Sequence, residues 1–130
     1  MDYEYSIHFT VEEANDMLDI IKPLIEEMMS LKKKLDAKGF DIYSHQYLGG
    51  SGPNGMGSFP EEMERLITIL KKVTADGVMV KGIDKGLVDF PHIRNNGEEV
   101  YLCWKYGEGE IVYWHTIPDG FSGRRKLSEL

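Results

Sequence analysis

The sequence has 130 residues, of which 42% are hydrophobic and 28% are charged, and its formal net charge is −7. This length and apolar content suit one core, so we expect residues 1–130 to form a single domain. The acidic balance argues against binding to the phosphate backbone of a nucleic acid.

The sequence also predicts the compartment. No uncharged apolar stretch is long enough to span a membrane, and the first ten residues lack the basic start and apolar run of a secretory signal. The chain has one cysteine, Cys103, whereas small secreted proteins usually carry paired cysteines. We therefore interpret Cys103 as a buried apolar thiol and expect a cytoplasmic protein with no membrane contact.

The first half of the chain predicts a short strand followed by two helices. Alternating apolar residues from Tyr3 to Phe9 indicate a half-buried strand. Thr10 and Glu13 have the spacing of a capping box, which predicts a helix over residues 11–38 that ends at Gly39. Its buried stripe is predicted to be Ala14, Leu18, Ile21, Ile25, Met28 and Leu35.

A glycine-rich connector over residues 41–58 is predicted to be flexible and to lead into a second helix, which starts near Pro60 and ends at Gly77. Residues 1–77 would then form a strand and an antiparallel helical hairpin. The apolar stripe of the second helix is predicted to be Met63, Leu66, Ile67, Leu70 and Val73.

The second half of the chain, residues 78–130, predicts an antiparallel β-meander and a C-terminal tail. Four segments alternate with period two between glycine-containing or charged turns, which is typical of short strands. The predicted fold class is α+β, with the helical hairpin packed on the small sheet.

Residues 101–115, YLCWKYGEGEIVYWH, predict a hairpin with a tight turn around Gly107 and Glu108. Both of its faces are largely apolar, so the sheet needs cover on both sides, and one helical hairpin covers only one. The second cover is predicted to be the tail, the N-terminal strand or another subunit. The predicted faces are Val100, Leu102, Trp104, Ile111, Tyr113 and His115 on one side, and Tyr101, Cys103, Val112 and Trp114 on the other.

Asp89 and His115 are the ionisable residues of this apolar half that most need an explanation. A carboxylate between Val88 and Phe90 requires a partner if it is buried, and structural pairing and functional use explain it equally well. For His115, packing with a hydrogen bond to a backbone carbonyl is favoured over a functional role. The candidate partners of Asp89 are Arg94, Arg124, Arg125 and His115.

These residues give a candidate ligand-binding set of Asp89, His115 and Arg124. No HExxH or CxxC spacing occurs, so we predict no metal ligands. Glu108 lies at the far end of the predicted hairpin from His115, so it is not expected to join that set. Glu108, Tyr101 and Trp114 are instead the candidate interface residues.

The sequence resembles the DUF2203 family of bacterial and archaeal proteins of unknown function. The stretches FTVEEANDML, IKPLIEEM, GLVDFPHIRNNGEEVYLCWKYGEGEIVYWH and DGFSGRRKL carry the resemblance. The glycine-rich connector departs from the charged helical continuation usual in the family. The resemblance implies no activity or cofactor, and it places these residues in family motifs: Phe9, Glu13, Asn15, Asp89, Pro91, Trp104, Glu108, His115, Phe121 and Arg124.

Two functions are compatible with these patterns, and the first of them is favoured. The first is a homo-oligomeric binding or assembly module that uses the helix stripe and the aromatic sheet face to contact a second copy or a protein partner. The second is a site for a small ligand, an anion or a metal-dependent reaction around Asp89, His115 and Arg124. The sequence specifies neither a cofactor nor a reaction.

Overall fold

The structure, a computed structural model, describes residues 2–45 and 59–130 and confirms the α+β class. The helices are α1 (Val11–Ala37), α2 (Ile42–His45) and α3 (Glu61–Ala75). The strands are β1 (Met79–Gly82), β2 (Leu87–Ile93), β3 (Glu99–Lys105), β4 (Tyr113–Thr116) and β5 (Arg125–Lys126). All neighbouring strands are antiparallel and follow chain order across the sheet, as the meander prediction requires.

The ends of α1 lie where the sequence predicts them. The Thr10 hydroxyl accepts a hydrogen bond from the backbone N–H of Glu13, and the Glu13 carboxylate accepts one from the N–H of Thr10. At the other end, Gly39 has φ of 73°, and the N–H of Phe40 donates to the carbonyl of Leu35. This Schellman arrangement uses the left-handed conformation that glycine adopts without strain.

The core lies between the inner face of the sheet and the helices α1 and α3. All six residues of the predicted α1 stripe are buried. In α3 the prediction is only partly right, because Ile69 is buried while Ile67 and Leu70 are partly exposed. The sheet contributes Val88, Phe90, Val100, Leu102, Trp104 and Trp114 to the same core.

The predicted register of the β3–β4 hairpin is wrong by one residue. Tyr101 pairs with His115 and Leu102 with Trp114, whereas the tight turn would have paired Val100 with His115. The connection from residue 106 to 112 is longer than a tight turn. Because side chains alternate between faces, the slip moves His115 to the outer face of the sheet and Trp114 to the inner face.

Two contacts hold the long connection in place. Ile111 leaves the strand ladder and is buried, and its backbone N–H donates to the side-chain oxygen of Asn15 on α1, at 2.8 Å. The indole N–H of Trp104 donates to the carbonyl of Gly109 at 2.7 Å. With a tight turn, Ile111 would instead have paired with Trp104 of β3.

The predicted N-terminal strand is also wrong, since residues 2–10 contain no strand. The backbone N–H groups of Glu4 and Tyr5 donate to the carboxylate of Glu99 rather than to the carbonyls of a neighbouring strand. Phe9 alone makes a ladder-like bond, from its N–H to the carbonyl of Pro91. The segment thus packs on the sheet through side chains, although its alternating pattern resembles that of a strand.

Within the described residues, none of the helices combines the length and apolar character that a membrane span requires. Of the predicted connector, residues 46–58 lie outside the described residues, while Ile42–His45 at its start form α2.

Candidate functional site

Five polar residues gather on the outer face of the sheet, and we call them the outer polar cluster: Asp89, Cys103, Glu108, His115 and Arg124. Antiparallel pairing builds its centre, because Asp89 of β2 lies opposite Cys103 of β3, and Tyr101, two residues before Cys103, lies opposite His115 of β4. Residues two apart on one strand share a face, so Asp89, Cys103 and His115 all project outward. Each of the three is at most 3% exposed.

The carboxylate of Asp89 and the imidazole of His115 form the buried part of the cluster. Nε2 of His115 lies 3.2 Å and 3.1 Å from the two carboxylate oxygens, and Nδ1 lies 2.7 Å from the carbonyl oxygen of Thr116. Burial lowers the pKa of His115, but the bonds to Asp89 and Thr116 and the charge of Asp89 outweigh it. The pKa of His115 is therefore raised above its ordinary value.

Arg124 and Glu108 form the second part of the cluster. Nη1 of Arg124 lies 3.0 Å and 2.9 Å from the two carboxylate oxygens of Glu108, and one of these oxygens also accepts from the backbone N–H of Lys105. The guanidinium carbon lies 4.1 Å from the ring centres of both Tyr113 and Phe121. These contacts fix the position of the Arg124 guanidinium.

Cys103 joins the two parts. Its thiol interacts with the carboxylate of Asp89 and with the guanidinium of Arg124, and burial together with Asp89 raises the pKa of the thiol. Cys103 was predicted to be a buried apolar residue and was not among the predicted site residues. The pairing of Cys103 with Asp89 was the missing signal, and it follows only once the strand register is known.

The N-terminal segment and β1 cover the cluster at the His115 end. The ring of Tyr101 lies 5.3 Å from that of His115, and its hydroxyl is hydrogen-bonded to the hydroxyl of Tyr5. Nζ of Lys81 lies 4.6 Å from the centre of the Tyr101 ring. At the other end Arg124 supplies the cover. The tail and the N-terminal segment thus both contact this face, although the N-terminal segment is not the predicted strand, and cover by another subunit stays a prediction.

The carboxylate of Glu99 holds the N-terminal segment in place. It accepts from the backbone N–H groups of Glu4 and Tyr5 at 2.8 Å and 3.0 Å, and it lies 2.7 Å from Nε2 of His8. Burial raises the pKa of Glu99, but these hydrogen bonds outweigh it and the pKa lies below its ordinary value. Glu99 was not among the residues predicted from the sequence.

The predicted candidates are thus only partly brought together. Asp89 and His115 are in direct contact, whereas Arg124 contacts Glu108 and reaches the pair through Cys103. Tyr101 and Trp114, the candidate interface residues, are 2% and 0% exposed in the single chain and present almost no side-chain area to a partner. Their interface role stays a prediction.

The family assignment rests on a match between residues 8–127 and the model of a family described as an uncharacterized conserved protein, DUF2203. This match spans nearly the whole chain. The chain belongs to the DUF2203 family. Comparisons of this DUF2203 chain with curated proteins and with solved structures found no match.

Several of the residues that the resemblance to DUF2203 places in family motifs contact one another although they are far apart in sequence. Asp89 meets His115, and Glu108 meets Arg124, which lies over the ring of Phe121. Four of the ten residues that the resemblance places in family motifs belong to the outer polar cluster, which we take as the candidate functional site of this DUF2203 chain: Asp89, Glu108, His115 and Arg124.

Proposed function

We propose that this DUF2203 chain is a binding protein whose ligand site is the outer polar cluster. The observation that carries the proposal is the burial of an imidazole, a carboxylate and a thiol side by side, next to a guanidinium that is fixed by two rings and a carboxylate. These groups suit a small ionic ligand, since they place charged and hydrogen-bonding atoms next to one another.

The energetics of burial support this assignment. Well-packed apolar residues of similar volume are often as stabilising as a buried ion pair, or more stabilising by roughly 1–4 kcal/mol. The buried Asp89–His115 pair is therefore not the arrangement that stability alone would favour. A binding role gives a physical reason for it, because the same carboxylate and imidazole can bind an ion directly.

Thermal unfolding of the parent chain in the presence of sodium sulfate, sodium phosphate or cobalt(II) chloride tests the proposal. We expect at least one of these ions to raise the unfolding temperature, since a ligand at 100 times its Kd adds about 2.7 kcal/mol. His115→Gln should lose this increase. Equal responses of the parent and the variant, or no response to any ion, would show that the cluster is not such a site, because general salt effects act on both proteins alike.

A second proposed function, assembly into a homo-oligomer, is supported by the exposed side of α1. Ile20 is 64% exposed, and its neighbours on the same face, Met17 and Leu24, are only partly buried. We also infer that α1 and α3 form the predicted antiparallel hairpin, since Glu27 pairs with Arg65 and Lys38 with Glu62. The exposed side of α1 with Met17, Ile20 and Leu24 would then lie on one outer side of the hairpin, where a second copy could cover it.

Light scattering over a concentration series tests the assembly proposal. We expect the parent chain to have at least twice the monomer mass, and Ile20→Glu to have the monomer mass because it places a charge in the apolar contact. Lys33→Glu, on an exposed part of α1, is the matched control and should keep the parent mass. A monomer mass for the parent chain at every concentration would contradict assembly.

The buried, unpaired Cys103 agrees with the proposed cytoplasmic location.

A further inference from the structure

We propose that Asp89, Cys103 and His115 are the protein ligands of a divalent transition-metal ion of the zinc class. This inference rests on the proposed binding function and names its ligand. It adds a metal site where the sequence predicts none, because the three residues come from three different strands and have no motif spacing.

The hydrogen bond of His115 to Thr116 decides which ring nitrogen carries a proton. A backbone carbonyl only accepts, so Nδ1, at 2.7 Å from the Thr116 oxygen, must donate. In a neutral imidazole, Nε2 then has a lone pair, and it points at both oxygens of the Asp89 carboxylate, 3.1 Å and 3.2 Å away. Two acceptors at this distance repel each other unless a proton or a metal cation lies between them.

The same hydrogen bond is typical of a metal-binding histidine. Such residues usually donate the N–H of the second ring nitrogen to a backbone carbonyl or a carboxylate, which fixes the tautomer and the direction of the ligand lone pair. Thr116 supplies this carbonyl for His115. The imidazole is therefore oriented to present Nε2 to an ion beside Asp89.

Cys103 supplies the third ligand. One potential ligand atom from each of Asp89, Cys103 and His115 lies within 4.8 Å of the other two, and all three residues are buried. With metal bonds of about 2.0 to 2.3 Å, the ligand atoms of a tetrahedral zinc site are separated by roughly 3.2 to 3.8 Å. The three side chains thus need only small adjustments, and the sheet holds their backbones next to one another.

The types of the three ligand atoms select the metal. Thiolate and imidazole favour zinc and similar ions over magnesium or calcium, which prefer oxygen ligands. Three protein ligands leave one tetrahedral position for water or a small anion. Arg124 and Lys81 face the cluster and oppose a cation there, but Glu108 neutralises Arg124 and the thiolate formed on metal binding adds a negative charge.

Cobalt(II) tests the inference by spectroscopy, because a thiolate bound to cobalt gives a charge-transfer band in the near ultraviolet. Cys103 is the only cysteine of the chain, so a band from one cobalt per chain identifies it as a ligand even without a variant. We expect the metal-free parent chain to bind one cobalt ion, to show this band, and to release the thiol proton of Cys103 together with any proton held between Nε2 of His115 and Asp89.

Variants assign the other two ligands. We expect Cys103→Ser to lose the band. His115→Gln and Asp89→Asn should bind cobalt at least roughly 10- to 100-fold more weakly, because mutating a residue that only hydrogen-bonds to a metal ligand already has an effect of that size. His92→Gln is the matched control, because His92 lies on the opposite face of β2 from Asp89 and bonds to the carbonyl of Phe9, so this variant should bind cobalt like the parent. Circular dichroism confirms that each variant folds.

Absence of the band from the folded parent chain would overturn the metal assignment. If phosphate or sulfate then still stabilised the parent but not His115→Gln, the proposed binding function would stand with an anion as its ligand. If neither the anions nor cobalt had an effect, the binding function would fail together with the metal site.

Discussion

Trp104→Ala should lower the free energy of unfolding by roughly 3–5 kcal/mol, the range for removing a large buried aromatic side chain. Trp104 is 1% exposed and lies on the inner face of the sheet, within the core shared with the helices. Its indole N–H also fixes the carbonyl of Gly109 in the β3–β4 connection. A typical domain is stable by only about 5–15 kcal/mol, so the variant should be close to unfolding.

Urea unfolding followed by circular dichroism measures this effect. Trp104→Phe is the partner variant, because it keeps an aromatic ring in the core but removes the hydrogen bond to Gly109. Tyr106→Ala is the matched control, since Tyr106 is 38% exposed and its loss should cost far less. A similar loss for Trp104→Ala and Tyr106→Ala would contradict the assignment of Trp104 to the core.

The longest helix described, α1, was predictable from local sequence because each of its signals acts over a few residues. The Thr10–Glu13 capping box and Gly39 set the two ends of α1 through hydrogen bonds within one turn of the helix. The stripe of α1 follows from the helical period alone. Local chemistry thus determined the bounds and the buried side of the longest helix, independently of the rest of the fold.

The strand register was not predictable in the same way. YGEG resembles a tight turn, but the buried indole of Trp104 bonds to Gly109, and Asn15 on a distant helix binds the N–H of Ile111. These tertiary contacts favour a longer connection over the local turn preference. The one-residue difference between the predicted and the observed strand register places His115 on the face that carries Asp89 and Cys103.

The candidate site was predictable only in part for the same reason. A carboxylate in an apolar strand indicates a buried partner by simple energetics, and His115 was among the candidates for Asp89. Cys103 carries no such signal, because a cysteine in an apolar strand is most simply an apolar residue. Its role depends on strand pairing, which brings residues 89, 103 and 115 together.

Asp89→Leu should also lower the free energy of unfolding of the metal-free chain by roughly 3–5 kcal/mol, as expected when one member of a buried pair is removed. The variant leaves the Nε2 side of His115 buried without its partner. Asp89→Asn should cost less, since the amide N–H can donate to Nε2 of a neutral His115. The double variant Asp89→Leu/His115→Leu should recover much of the loss, because no polar group remains to be paired.

The pH dependence of unfolding tests whether a proton is shared between Asp89 and His115. Because the pKa of His115 is raised in the folded chain, its contribution to stability is fully present below its ordinary pKa of about 6.5 and decreases as the pH rises through the folded value. The stability difference between the parent and Asp89→Asn should therefore be larger below about pH 6.5 and decrease as the pH rises through the folded pKa of His115. Urea unfolding of both proteins in a chelating buffer measures it. A difference that stays constant with pH would show that the pair shares no titrating proton.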